Sequence, residues 1–210
     1  LKGNQFITLA SANSISQNDF AATISIGNGS TSNQVILASD FSLGNYYISN
    51  LIVNNGATFD PANYVVSGLG GNIDVLPGSV LRIGHQNGIN LYAMSGNIQL
   101  SGTRNFSSGA TYNYCGTTNQ VTGDGLPVSA NAIIIENTGI TGNNTVSFSD
   151  NDSVASITLV SGQLNPNNHT ITVKQNGIIS ARGGDFNPLS TGKVAFNNGF
   201  VSGSLNFYPD

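Results

Sequence analysis

The sequence predicts an all-β fold: one domain over residues 1–210, a single-stranded parallel β-helix (β-solenoid) of about eight or nine coils. Three observations carry this expectation. Apolar residues recur at period two in short runs, glycine- and asparagine-rich corners separate those runs, and only 8% of the 210 positions are charged. Ordinary soluble domains carry about 25% charged residues. Here the polarity comes instead from 30 asparagines and 25 serines, beside 26 glycines.

In chain order the strand-like runs are Thr23-Ile24-Ser25-Ile26, Ile48-Ser49-Asn50-Leu51-Ile52-Val53, Ile73-Asp74-Val75, Val80-Leu81-Arg82-Ile83, Ile133-Ile134-Ile135, Ile157-Thr158-Leu159 and Thr170-Ile171-Thr172-Val173. Alternation or a short β-branched run bounded by turn residues reads as a strand. The Asn-Gly, Gly-Asn, Ser-Gly and Pro-Gly pairs between them supply the positive φ angles of tight corners. Ala, Leu, Glu, Lys, Arg and Gln are too sparse among these residues to propagate helices, so no helix is expected.

A loose repeat joins the runs. Leu51 to Val66 and Ile157 to Val173 both read strand, glycine corner, apolar residue, Asx-Pro turn (Asp60-Pro61 and Asn165-Pro166), strand. The strand-glycine-strand pattern returns at Ile73 to Gly84 and, shortened, at Ile171 to Ile179. A glycine-rich β repeat of about 20 to 30 residues is what stacked coils need. Rungs lie about 4.8 Å apart, so a column of like charges would repel itself by about 1 kcal/mol per pair even in water. Asn, Ser and Thr avoid that penalty and can hydrogen-bond along the column. The alternative arrangement is an antiparallel β-sandwich, for which Asn-Gly hairpins would also serve.

Composition excludes several functions. A net charge of −4 disfavours nucleic acid, whose binding rests on neutralising phosphates. A single cysteine, Cys115, with two histidines forms neither an intrachain disulfide nor a Cys/His zinc site. No apolar stretch is long enough to span a membrane as a helix. The start at Leu1 reads as a processed chain or an excised segment.

The segments Gly109-Ala110-Thr111-Tyr112-Asn113-Tyr114, Gln120-Val121-Thr122-Gly123-Asp124-Gly125-Leu126-Pro127, Ile133-Ile134-Ile135 and Leu159-Val160-Ser161-Gly162-Gln163-Leu164 follow one another between Gly96 and Val173. This order resembles the repetitive β-strand regions of large secreted Bacteroidetes surface proteins, the adhesin-like cargo of type IX secretion. The resemblance implies an extracellular or cell-surface stalk, adhesin or filament role, and it brings no catalytic residues with it.

Candidate chemistry is sparse. On β-helix scaffolds, lyases and hydrolases of polysaccharides line a groove with carboxylates and basic groups. The residues available for that are Asp74, Arg82 and His85, and further on Arg182 and Asp185; a surface ion pair explains them more simply. His169 reads as a solvated corner histidine. Asp150-Asn151-Asp152-Ser153 offers oxygens to Ca²⁺ without the spacing of a calcium loop, so an exposed turn is expected. Gly68-Leu69-Gly70-Gly71 and Gly183-Gly184 read as corners rather than phosphate loops. Tyr46, Tyr47, Tyr64, Tyr92, Tyr112 and Tyr114 are sugar-stacking candidates if they face outward. Thr170 and Thr172 share a face, but no threonine column recurs to suggest ice binding.

The sequence therefore leads to a non-enzymatic structural or adhesive segment with no catalytic, cofactor or metal residues. Its expected partners are further copies stacked end to end or neighbouring domains, with surface glycans on its faces. A polysaccharide lyase or hydrolase and a carbohydrate-binding module are the alternatives.

Overall fold

The structure, a computed structural model, describes residues 5–7, 23–29, 32–43, 50–187 and 191–203. Tyr46, Tyr47 and the Ile48-Ser49 start of one predicted strand lie outside them. Twenty-one strands and no helix make up the described chain. The first coils contain β1 (Gln5–Ile7), β2 (Thr23–Ile26), β3 (Asn33–Leu37), β4 (Phe41–Ser42), β5 (Asn50–Val53), β6 (Ala57–Asp60), β7 (Val66–Gly68), β8 (Asn72–Val75), β9 (Val80–Ile83) and β10 (Ile98–Leu100). The chain continues with β11 (Arg104–Phe106), β12 (Thr111–Tyr114), β13 (Gln120–Val121), β14 (Ser129–Glu136), β15 (Thr145–Ser147) and β16 (Asp152–Ser161). It closes with β17 (Gln163–Asn165), β18 (Thr170–Ala181), β19 (Asp185–Phe186), β20 (Lys193–Phe196) and β21 (Phe200–Ser202).

Every described pairing is parallel, which removes the sandwich alternative. One long sheet, A, runs β1-β3-β6-β9-β12-β14-β16-β18-β20, with β21 also on β18. Sheet B is β2-β5-β8-β11, sheet C is β4-β7-β10, and sheet D is β13-β15-β17-β19. Along sheet A, Val35, Phe59, Leu81, Tyr112, Ile133, Ile157, Ile179 and Val201 stand in register, one per rung. From β3 onward these make seven turns, close to the eight or nine expected, a rise of about 34 Å at the usual strand spacing. The turn from Leu81 to Tyr112 spans 31 residues, against 21 to 24 in the other turns from β3 onward, while Gln5 and Val35 in the first pairing lie 30 apart.

The core is the set of inward alternating positions, as period two requires. Leu51, Ile73, Phe59, Leu81, Ile133, Ile157 and Ile179 are all essentially inaccessible to solvent. Tyr112 and Tyr114 belong to this core and not to an outer platform, because their phenol hydroxyls donate to the carbonyls of Ser107 and Thr122 at 2.7 and 3.0 Å. A buried tyrosine needs such a partner.

The cross-section changes along the stack. In the early coils a corner divides sheet B from sheet A at residues 54–56, 76–79 and 107–110, and these corners hydrogen-bond to one another through Gly56 N–H to Gly78 O and Gly78 N–H to Gly109 O. No glycine occurs from 126 to 138, and there β14 runs straight through the place of the corner. β16 does the same over ten residues. β18 keeps a vestige of the corner: the register passes from Val154–Val173 to Ser156–Ile178, and Asn176 adopts φ 60° in the resulting bulge.

Both Asx-Pro turns form as the sequence predicts. Asp60 Oδ1 accepts the Ala62 N–H and Asn165 Oδ1 the Asn167 N–H, each at 2.8 Å, and both third residues have φ 53°. They sit on different faces, one after a sheet A strand and the other after a sheet D strand.

Candidate functional site

The turn from Leu81 to Tyr112 contains an excursion that leaves the regular coil between β9 and β10. Its first part, residues 86–89, hydrogen-bonds to β13 and its successor, with Val121 N–H donating to Gln86 O and Ile89 N–H to Thr122 O. Its last residue, Asn97, leads into β10 on sheet C. A single coil thus supplies the third face twice, to sheet C on one side and to sheet D on the other.

Buried amides hold this fork. Asn97 is fully buried, accepts from the N–H groups of Gly84 and His85 at 3.0 Å, and donates to the carbonyls of Ala62 and Tyr64. Gln120, one coil on, accepts from Gly116 N–H and the Asn137 amide and donates to Ile83 O and His85 O. Each side-chain amide has all four of its hydrogen-bonding positions filled, so these amides define the corner at no desolvation penalty.

The tip of the excursion, residues 90–95, is fixed as firmly. Arg104 donates Nε–H to Leu100 O at 2.7 Å and two Nη1–H to Asn90 O and Ala93 O at 2.7 and 2.8 Å. Asp124 Oδ1 accepts Leu91 N–H at 2.8 Å, and Asn90 Nδ2 donates to Asn87 O and Ser95 O. What this scaffold presents is apolar: Tyr92 is 86% exposed and Met94 53%. Between the tip and the corner 100–104 lies a groove of about 550 Å³ lined by Leu91, Tyr92, Met94, Ser101, Thr103 and Arg104.

Arg104 stands in register with Ile73 and, one rung further, Leu51, so a guanidinium occupies a core column of sheet B. Burial lowers its pKa and the charge of Asp124 works the other way.

No family model, curated protein or solved structure matches the chain. What it can do chemically is therefore read from its own side chains.

The enzyme candidates do not assemble. Asp74 lies on sheet B, where its carboxylate accepts from Asn105 Nδ2 at 2.6 Å, and Arg82 lies on sheet A. Arg82 instead bridges Asp60 and Glu136, each at 2.8 Å. Burial raises the Glu136 carboxyl, but the hydrogen bonds from Asn113 and Arg82 outweigh it and hold the carboxyl below its usual value. Beside them, burial pushes the Cys115 thiol up to about 11, which leaves no thiolate nucleophile at neutral pH. His85 accepts the Asn87 N–H on Nδ1, and burial lowers its pKa. Arg182 is exposed, and Asp185 accepts the N–H of Phe186.

The expected acidic turn at Asp150 to Ser153 divides. Asp150 is exposed, whereas Asp152 begins β16 and points inward at 4% exposure. Among the described residues no group of three or more His, Cys, Asp or Glu side chains gathers to hold a metal ion, and no helix is long and apolar enough to cross a membrane. His169 caps its corner through backbone bonds to Pro166 and Lys193. The Gly68 to Gly71 and Gly183-Gly184 segments are corners, and Thr172 is flanked in its column by Ser153 and Ala195.

Sequence reasoning placed Tyr92 among six equivalent tyrosines and passed over Arg104 and Asn97. The signal for Arg104 was its alternation: in Arg104-Asn105-Phe106 the arginine takes the inward parity of Phe106, two residues on.

Proposed function

We propose that the chain is an extracellular, non-enzymatic structural or adhesive segment, a part of a cell-surface stalk, adhesin or filament. The observation that supports this best is the uninterrupted parallel ladder of sheet A, whose rungs carry mostly neutral side chains outward. Hydrogen bonds along such a ladder transmit load from rung to rung, and neutral columns add no repulsion as coils accumulate. The outward amides pair between rungs, as Asn72 Nδ2 does with Asn50 Oδ1 at 2.9 Å and Asn187 Nδ2 with Thr145 Oγ1 at 3.0 Å. The resemblance of Gly96 to Val173 to secreted surface repeats points the same way.

Further copies or neighbouring domains extend the ladder. Phe196, Phe200 and Val201 on the last described strands are exposed apolar side chains of the kind a following coil covers. Sedimentation velocity over a concentration series tests this. Association should grow with concentration and weaken in a Phe200→Asp, Val201→Lys variant. A monodisperse monomer at every concentration overturns the end-to-end contact.

A further inference from the structure

The excursion between β9 and β10 is costly to build: it lengthens one coil, uses a buried guanidinium as its main clamp, and displays a tyrosine and a methionine to solvent. A coil that served stacking alone would omit it, as the turns from β12 to β18 do.

Arg104 is the informative residue. It is 6% exposed, and both ion pairs among the described residues belong to Arg82. Its five N–H groups are unevenly served. Nε and Nη1 give three hydrogen bonds to carbonyl oxygens, while the Nη2 amino group has only the Met94 sulfur at 3.1 Å. A thioether is a weak acceptor. A buried guanidinium that no carboxylate hydrogen-bonds, with the Asp124 charge acting on it only from further off and one amino group so poorly matched, is complementary to an anionic oxygen.

The surroundings define the rest of the ligand. Tyr92 offers a free aromatic face at the groove's rim, and Leu91 and Met94 provide apolar wall. Ser101 Oγ accepts the Gly70 N–H at 2.7 Å, which leaves its hydroxyl proton to donate, and Thr103 lines the same floor. An aromatic face, hydroxyls and a cation around one open groove match a sugar ring bearing an acid group.

We propose that this groove binds an anionic sugar, a carboxylated or sulfated residue of a surface polysaccharide, with Tyr92 stacked on the ring and Arg104 receiving the acid group. The site deepens the adhesive reading above and rests on it for the source of the sugar.

Calorimetric titration of the full chain tests the proposal with three probes: an oligogalacturonate, a heparin-derived oligosaccharide and a neutral cello-oligosaccharide of similar length. One of the two acidic probes should bind with Kd at or below about 1 mM, and which one does separates carboxylate from sulfate. The neutral probe should bind at least about tenfold more weakly, the loss of one charge-assisted hydrogen bond. Tyr92→Ala should weaken acidic binding about fivefold or more with an unchanged melting curve, and Tyr92→Phe should restore it. Absence of binding to both acidic probes, equal affinity for the neutral one, or indifference to Tyr92→Ala overturns the site. Acidic binding that survives Tyr92→Ala removes this groove and leaves the adhesive reading standing. Silence toward all three probes with intact self-association removes the groove and leaves a purely structural segment.

Discussion

Asp152 holds a carboxyl where the next rung of its column holds Ile171. Its Oδ1 is buried with no hydrogen-bond partner, and burial, with a smaller contribution from the Asp150 charge, pushes its pKa up to about 7. The core tyrosine Tyr114 also lies within reach of its charge. The ordinary aspartate value is 3.8, so between those limits the folded chain binds a proton that the unfolded chain releases. Stability contributed by this group is therefore greatest below about pH 4 and falls as pH rises toward 7, by at most about 4 kcal/mol. Urea unfolding of the parent and of Asp152→Asn across pH 4 to 8 measures it. The variant should lose that descending limb and be the more stable of the two at pH 8, by about 1 to 3 kcal/mol. Parallel pH profiles would show that the carboxyl finds a partner when folded. This residue was illegible in the sequence because Asp150 and Asp152 share a parity, and only the start of β16 decides that Asp152 turns inward and Asp150 stays in the corner.

At the scale of elements, the corners were the readable part. Asp60-Pro61 and Asn165-Pro166 announced identical turns, and glycine marked the bends that separate sheet B from sheet A. The phase of the repeat was not readable, because a local turn fixes a change of direction without fixing which face it follows. Leu51 and Ile157 align in sequence yet lie on sheets B and A. The excursion was hidden for a related reason: Gly88 and Gly96 look like any other corner glycines, yet a Cβ on Gly88 would meet the backbone of Val121 and Thr122, more than 20 residues further on, and one on Gly96 the backbone of Gly88. Two glycines of matched backbone test how closely that docking is made. Gly70 and Gly123 have φ 77° and 79°, but a Cβ on Gly70 meets no described atom within 4 Å, whereas one on Gly123 runs into the backbone carbonyl of Ile89. Gly70→Ala should cost only the conformational term, about 1 kcal/mol. Gly123→Ala should cost about 3 kcal/mol or more, since the obstacle is backbone that cannot swing aside. Equal losses in thermal denaturation would mean that residues 86–89 are not held against the segment that follows β13.

Across the whole molecule, each coil touches its neighbours in the stack, so stability is a chain of rung-to-rung couplings. Sheet A carries that coupling from β3 to β20, but the third face changes from sheet C to sheet D at the coil of β9 and β10. At this coil the coupling depends on the β9–β12 and β8–β11 ladders, on Asn97 and Gln120, and on the docking of residues 86–89. The parent chain should exchange its amide protons most slowly in β9, β12 and β14, where rungs lie on both sides and the inward residues are fully buried, with protection declining toward β3 and β20. Gly123→Ala loosens one of these couplings and leaves both flanking stacks chemically intact. It should therefore lower protection at Ile89, Val121 and Thr122 before it affects β5 or β16, and urea unfolding should separate into two phases, one for the coils up to β10 and one for those from β14 onward. A single transition, with protection reduced evenly along sheet A, would mean that the ladder alone transmits cooperativity and that the fork contributes nothing to it.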